Sequence, residues 1–313
     1  MEISVDVQPL EEFEETLDPV RETACYPFKI LGYGEISTVI EIEHPAFRGI
    51  ALKRIPGFPS RGAAESHGRL YEDYNSVLRG LGIETPEYGW VVVDRSDGSS
   101  VLYLAQKLLP AESIGNRAIH RLDHEGNKRL IYSVISHLAS IWRHNASGRE
   151  PLVGIDAQIS NWSIKDPRSM ELLYLDTSTP LLRVNGVEQI DPEVFLKAAP
   201  PLIRWLLKTL FLQEILDRYY DPHSILVDLV ANYIKEKRGD LVPKLVDWVN
   251  EELETNYTDL GIRPLSLEEV YKYYRSDARI WSIYLSSRKL HRFITSKILR
   301  RRYDYLLPKH IER

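Results

Sequence analysis

The 313-residue chain reads as an α+β protein of two lobes: a five-stranded antiparallel sheet with one helix, then a mainly helical unit. Three observations predict this. Five strand-like runs separated by turns lie between Phe28 and Gln106, with one helical pattern among them. Beyond Pro110 long helical patterns take over. The length also exceeds what one hydrophobic core ordinarily serves. The expected units are residues 1–109, an acidic amino-terminal segment plus the sheet and helix, and residues 110–313.

The elements follow in order. Phe28–Leu31 precedes a glycine pair, and Val39–Glu43 follows it with apolar and acidic residues alternating, the period of a half-buried strand. The two make a hairpin. A turn-rich stretch from His44 to Gly49 leads to a third strand, Ile50–Ile55, which stops at Pro56-Gly57-Phe58-Pro59. Residues 63–81 lack proline and space Leu70, Tyr74, Val77, Leu78 and Leu81 as a helix closed by Gly82. Tyr88–Val93 and Ser100–Gln106 are two more strands. Helices are expected over 128–145, 192–220, 223–237, 241–254, 267–274 and 280–301, with a small hairpin from Trp162–Ile164 and Leu172–Leu175 between the first two.

Composition excludes several classes. Hydrophobic residues are 43% and charged residues 27%, a balanced globular composition. A single cysteine, Cys25, makes no internal disulfide and sits in no metal-binding pattern, which points to a reducing, cytoplasmic setting. The chain opens with no secretory pattern. No apolar run approaches the roughly 20 residues that span a bilayer, so no membrane partner is expected. Charge is uneven: residues 1–24 carry eight acids and one base, residues 288–313 nine bases and two acids. Two solvated faces, paired with each other, or a basic tail on nucleic acid or another anionic partner would account for it.

The glycines Gly32 and Gly34, with Ser37 after them, are followed by a period-2 strand rather than the helix that a dinucleotide fold requires. Ala51-Leu52-Lys53 lies on the third strand, and an apolar strand ends at Asp176. Together with the segment Gly154-Ile155-Asp156-Ala157-Gln158-Ile159-Ser160-Asn161, this order over residues 27–180 resembles the protein-kinase-like superfamily, most closely its aminoglycoside phosphotransferase and choline kinase-like branch. The resemblance implies an ATP-dependent, Mg²⁺-requiring transfer of phosphate to a hydroxyl of a small molecule. It makes Gly32, Gly34 and Ser37 the phosphate loop and Lys53 the strand lysine that holds the phosphates, with Glu72 (or Glu65) on the next helix as its partner. It makes Asp156 the group that orients the acceptor hydroxyl and takes its proton, Asn161 and Asp176 the metal ligands, and Gln106, Lys107 and Leu108 the hinge that reads adenine. Gln158 would contact phosphate or substrate, or brace the loop.

The departures are specific. Gly154-Ile155 stands where relatives usually have a histidine and then a small or basic residue. Asp176-Thr177-Ser178 replaces Asp-Phe-Gly, Ser37 replaces a third loop glycine, and no Ala-Pro-Glu follows. A regulated protein kinase is disfavoured. Two other readings stand beside the small-molecule kinase: a nucleotide-binding scaffold without turnover, and an atypical protein or nucleic-acid-associated kinase.

Overall fold

The computed structural model describes residues 2–34, 36–191, 196, 204 and 212–308. Strands β1 (Phe28–Tyr33), β2 (Thr38–Ile42), β3 (Ile50–Phe58), β4 (Tyr88–Asp94) and β5 (Ser100–Lys107) form one antiparallel sheet in the order β1-β2-β3-β5-β4. The alternation at Val39–Glu43 does what it predicts: Ile40 and Ile42 are buried while Val39 and Glu41 are partly exposed. Strand β5 is covered on both faces, which is why Val101–Ala105 reads as an unbroken apolar run.

The two faces of the sheet have separate covers. One carries helix α2 (Arg61–Gly80), which starts at the Ser60 cap and buries Ala64, His67, Gly68, Tyr71, Tyr74, Asn75 and Leu78. The close approach is set by Gly68, where a Cβ would lie 2.5 Å from the Trp90 ring. The other face carries an element absent from the sequence reading, helix α1 (Val7–Thr16), capped by Asp6. Its Leu10 and Phe13 are fully buried with Ile40, Leu52 and Tyr103, each contributing roughly 1.5–3 kcal/mol of burial. Leu306 joins the same core. The chain's last described residues, expected in the helical unit, therefore strap back across the first sheet. The acidic and basic ends meet there, Arg302 Nη2 lying 3.0 Å from Glu14 Oε1.

The helical unit comprises α3 (Gly115–Ala118), α4 (His124–Ala146), α5 (Leu212–Arg218), α6 (Pro222–Lys235), α7 (Val242–Asn256) and α8 (Leu267–Phe293). Only Leu196, Arg204 and the end of the helix expected over 192–220 are described; the rest lies outside the described residues. The two helices expected over 267–274 and 280–301 are one helix, because no glycine or proline interrupts residues 265–307. Between α4 and α5 lie β6 (Leu152–Val153), the hairpin β7 (Trp162–Asp166) and β8 (Glu171–Tyr174), and β9 (Leu182–Val184) with β10 (Val187–Glu188). Among the described residues no helix is long and apolar enough to cross a membrane.

Candidate phosphotransfer site

Alternation along β3 decides which cation enters the cleft. Leu52 and Arg54 face α1, so Lys53 faces the α2 side of the sheet. Its ammonium meets Asp176, Nζ to Oδ1 at 2.7 Å, with both side chains partly exposed. Glu72 and Glu65 do not take this place. The buried face of α2 is 64, 67, 68, 71, 74, 75 and 78, and Glu72 lies at its edge, about 100° from its middle. Glu65 instead pairs with Arg61 and Arg69. His67 occupies the inward position: its Nε2 bonds the Ser178 carbonyl at 3.0 Å, and burial holds its ring below the ordinary imidazole range.

Asp176 follows β8 and is held from β3 and from its own loop, with its neighbours tied to β5. Lys53 and the Ser178 hydroxyl (2.8 Å) donate to its Oδ1. Gln106 Nε2, from β5, donates to Leu175 O at 3.1 Å and Thr177 Oγ1 at 3.3 Å. Burial alone would push the Asp176 carboxyl up, but Lys53 and Ser178 bring it below the usual aspartate range.

The loop 154–161 runs beside it. Asn161 Nδ2 donates to Asp156 O at 3.1 Å, the Tyr174 hydroxyl donates to the same oxygen at 3.1 Å, and Leu175 N donates to Asn161 O at 2.8 Å. The β7–β8 hairpin thus staples the two ends of the motif together. Asp156 accepts from Gln158 N at 3.2 Å; burial, then the carboxylates of Asp228 and Asp176, push its own carboxyl well up. Gly115 on α3 permits the backbone of this loop to pack closely, since a Cβ there would lie 2.0 Å from Ile159 O. A backbone atom cannot swing away, so Gly115→Ala is expected to cost about 1–3 kcal/mol, read as a lower melting temperature; an unchanged melt would contradict the packing.

Gly154 explains the missing histidine. A Cβ at this position would sit 2.9 Å from Tyr220 Cζ and 3.0 Å from Leu181 Cβ, so Tyr220 fills the space beside the loop. Its ring is stacked under Arg183, 3.9 Å to the centroid, and its hydroxyl donates to Glu188 Oε2 at 3.0 Å. Gly154 O accepts from the Tyr74 hydroxyl of α2 at 2.7 Å. The loop is supported by two tyrosines in place of one histidine. Gly154→His is expected to destabilise the fold rather than restore a familiar motif, and a thermal melt that matched the wild type would show the space to be there.

Gln158 points into the helical unit. It accepts from Lys235 Nζ at 2.8 Å and Asn232 Nδ2 at 3.3 Å and donates to Asp228 Oδ2 at 3.3 Å. Asp228, Asn232 and Lys235 form one row of α6 at i, i+4 and i+7. The sequence reading missed them, although a polar row inside a helix otherwise buried at Ile225–Val227 and Leu229–Ala231 was the available signal. Burial and Asp277 push the Asp228 carboxyl up to about 6, against Lys235 and Gln158.

The glycine hairpin closes by Gly34 N donating to Ser37 O at 3.0 Å. Gly32 has open space where a Cβ would be, whereas at Gly34 it would meet Ser37 Oγ at 2.8 Å; Glu35 lies outside the described residues. At the expected hinge, Lys107 N donates to Glu87 O (3.0 Å) and Leu108 N to Gly49 O (2.8 Å). These contacts occupy two of the hinge N–H groups, and Gln106 spends its side chain on the Asp176 segment.

Oxygen donors suited to a hard cation remain. Asn161 uses its Nδ2, leaving Oδ1, and Asp176 uses Oδ1, leaving Oδ2. Among the described residues no group of three or more His, Cys, Asp or Glu gathers as a metal site. Two protein oxygens completed by phosphate and water are what Mg²⁺ accepts.

Hairpin, Lys53 on β3, helix α2 and the loop-and-hairpin pair at Asp156 and Asp176 make an α+β arrangement consistent with a two-lobed, protein-kinase-like fold. The chain belongs to a family of unknown function, DUF6206, whose pattern matches residues 13–292. No curated protein matches it in sequence. Among solved structures it is similar to APH(2")-IIia in a GDP and kanamycin complex, at 10% identity over 80% of this chain and 100% of that one, TM-score 0.33. WaaP in complex with acyl carrier protein matches at 12% identity over 82% and 100%, TM-score 0.33. The kinase domain of maize SIRK1, a sucrose-induced receptor kinase bound to AMP-PNP, matches at 17% identity over 80% and 85%, TM-score 0.35.

Proposed function

We propose that this protein transfers the γ-phosphate of ATP to a hydroxyl of a small molecule, with residues 1–109 binding the nucleotide and the helical unit carrying the catalytic loop and acceptor site. The observation that supports this most is the 2.7 Å contact of Lys53 with Asp176 beside the Asp156–Asn161 loop. Phosphates entering there would exchange that contact for lysine–phosphate and carboxylate–metal pairs. Lys53 would neutralise phosphate charge, and the backbone N–H groups of the Gly32–Gly34 hairpin would approach the same oxygens. Asn161 and Asp176 would hold Mg²⁺, which when bound shields the charge of the triphosphate.

Asp156 would accept the proton of the acceptor hydroxyl as its oxygen attacks the γ-phosphorus in line. The bond from that phosphorus to the β–γ bridging oxygen breaks, and ADP leaves. Gln158, held by Asp228, Asn232 and Lys235, would position the loop rather than touch phosphate.

A scaffold that binds nucleotide without turnover is favoured by one observation, the Tyr220 ring in the space beside Gly154, where relatives usually carry a catalytic-loop histidine. The test separates the two: ADP release with Mg²⁺-ATP across a panel of alcohols, sugars and amino alcohols. Acceptor-dependent ADP release supports the enzyme. Tight Mg²⁺-ATP binding with no release under any acceptor would sink it in favour of the scaffold.

A further inference from the structure

The second half of α8 and the turn after it form a surface that the site does not use. From Ala278 to Tyr303 there are eight Arg and Lys and no Asp or Glu. On the same segment Ile280, Ile283, Leu290, Phe293, Ile298 and Leu299 are each more than half exposed, Ile283 at 66%. At 100° per residue Ile280, Ile283, Leu290 and Ile294 fall within about 80° of one another, an apolar stripe on the outer side of the helix broken only by Ser287. The opposite side is engaged: Arg288 is buried against the Tyr284 and Tyr305 rings. Among the described residues Arg279, Lys297, Arg300 and Arg301 are exposed and form no ion pair.

Exposed apolar groups in such number are costly in water unless something covers them. The occupant has to offer both an apolar phase and a diffuse negative charge along the length of the helix. An anionic bilayer surface offers both: side chains from the stripe enter the acyl boundary while bases lie against headgroup phosphates. Nucleic acid would satisfy the bases and leave the isoleucines and phenylalanine in water. A second copy would cover the stripe but bring eight more bases against these.

We propose that residues 279–301, the end of α8 and the turn after it, form an in-plane membrane-surface segment that docks this protein on anionic lipid. The sequence reading expected no membrane partner, on the ground that nothing spans; a helix lying on the surface needs no span. The inference does not rest on the phosphotransfer reading.

The test is co-sedimentation of the full chain with vesicles of phosphatidylcholine alone and of phosphatidylcholine with phosphatidylglycerol. Binding is expected to the anionic vesicles only and to weaken as salt is raised. Lys297→Gln/Arg300→Gln/Arg301→Gln is expected to lower the partition about a hundredfold, at ~1 kcal/mol per base. Ile283→Gln/Phe293→Gln/Ile298→Gln should lower it about tenfold or more while the protein still melts cooperatively, because these side chains are exposed. No binding to anionic vesicles at low salt overturns the proposal. So does binding that the apolar variant leaves intact, with RNA or DNA displacing the vesicles. A dimer in sedimentation that the apolar variant dissociates, without lipid binding, would assign the stripe to a second copy instead.

Discussion

Asp156→Asn is expected to lower kcat for ATP-dependent phosphoryl transfer by about 10²- to 10⁴-fold, the ordinary worth of a positioned general base. The substitution keeps the shape of the side chain and removes only its charge and basicity. Asp156 is pushed up by burial and then by the carboxylates of Asp228 and Asp176, so its negative charge is not a source of stability. The melting temperature of the variant is therefore expected to hold or rise while activity disappears. Affinity for Mg²⁺-ATP is expected to stay near that of the wild type, because Lys53, Asn161 and Asp176 are unchanged and the loop is still stapled through Asp156 O, Asn161 and Tyr174. The split between turnover and binding is the signature. Lost binding together with lost turnover would mean that Asp156 is structural.

Glu14→Gln is expected to cost about 3–5 kcal/mol, the penalty of stranding buried cations. Glu14 is fully buried beneath the sheet, accepting from Arg54 Nε at 2.7 Å, Arg54 Nη2 at 2.8 Å, Arg95 Nε at 3.0 Å and Arg302 Nη2 at 3.0 Å. Tyr103 also donates to it, and Asp304 Oδ1 takes Arg95 Nη1 at 2.8 Å. One carboxylate thus joins α1, β3, the end of β4 and the carboxy-terminal strap. Burial by itself would raise the Glu14 carboxyl, but Arg54 and Arg95 outweigh it and hold it down at about 2, from 4.5.

A folded-state value below the unfolded one adds stability above the unfolded value and loses it as pH falls toward the folded one. The shift corresponds to about 3 kcal/mol at 1.36 kcal/mol per unit. Urea unfolding at stepped pH is expected to show the wild-type advantage over Glu14→Gln intact above pH 4.5 and shrinking as pH falls from there toward 2. A gap between the two proteins that ignored pH would contradict the ion-pair account.

What was legible in the sequence was local. The alternation at Val39–Glu43 gave β2, the apolar run at Val101–Ala105 gave β5, and the short runs at Trp162–Ile164 and Leu172–Leu175 gave a hairpin whose staple brings Asn161 to Asp176. Helix α1 does not stand out in the sequence because its short apolar row, Leu10, Phe13 and Leu17 at i, i+3 and i+7, is set among eight acids. The Lys53 partner was misplaced for a different reason. Counting positions along the chain put a glutamate near it, whereas the helix phase turns His67 and Tyr71 inward and Glu72 aside. The engagement of the Lys107 and Leu108 N–H groups was not legible because it depends on Gly49 and Glu87, the residues just before β3 and β4. The strap at Tyr303–Leu307 and the Arg54–Asp304 contact join residues 250 apart, and no local pattern announces such a partner.

The polar row Asp228, Asn232 and Lys235 lies between these cases. Its spacing is visible in the sequence, but its purpose appears only when Gln158 is found against it.

The central claim is that Lys53, Asp156, Asn161 and Asp176 form a phosphotransfer site, and the most direct measurement is titration of the protein with ATP and Mg²⁺ in a calorimeter, alongside Asp176→Asn. The account predicts saturable binding by the wild type that requires Mg²⁺ and is weakened at least about tenfold in the variant, the loss of one charged metal ligand. Wild-type protein that binds no nucleotide with Mg²⁺ present, or binds it equally well without the Asp176 carboxylate, would contradict it.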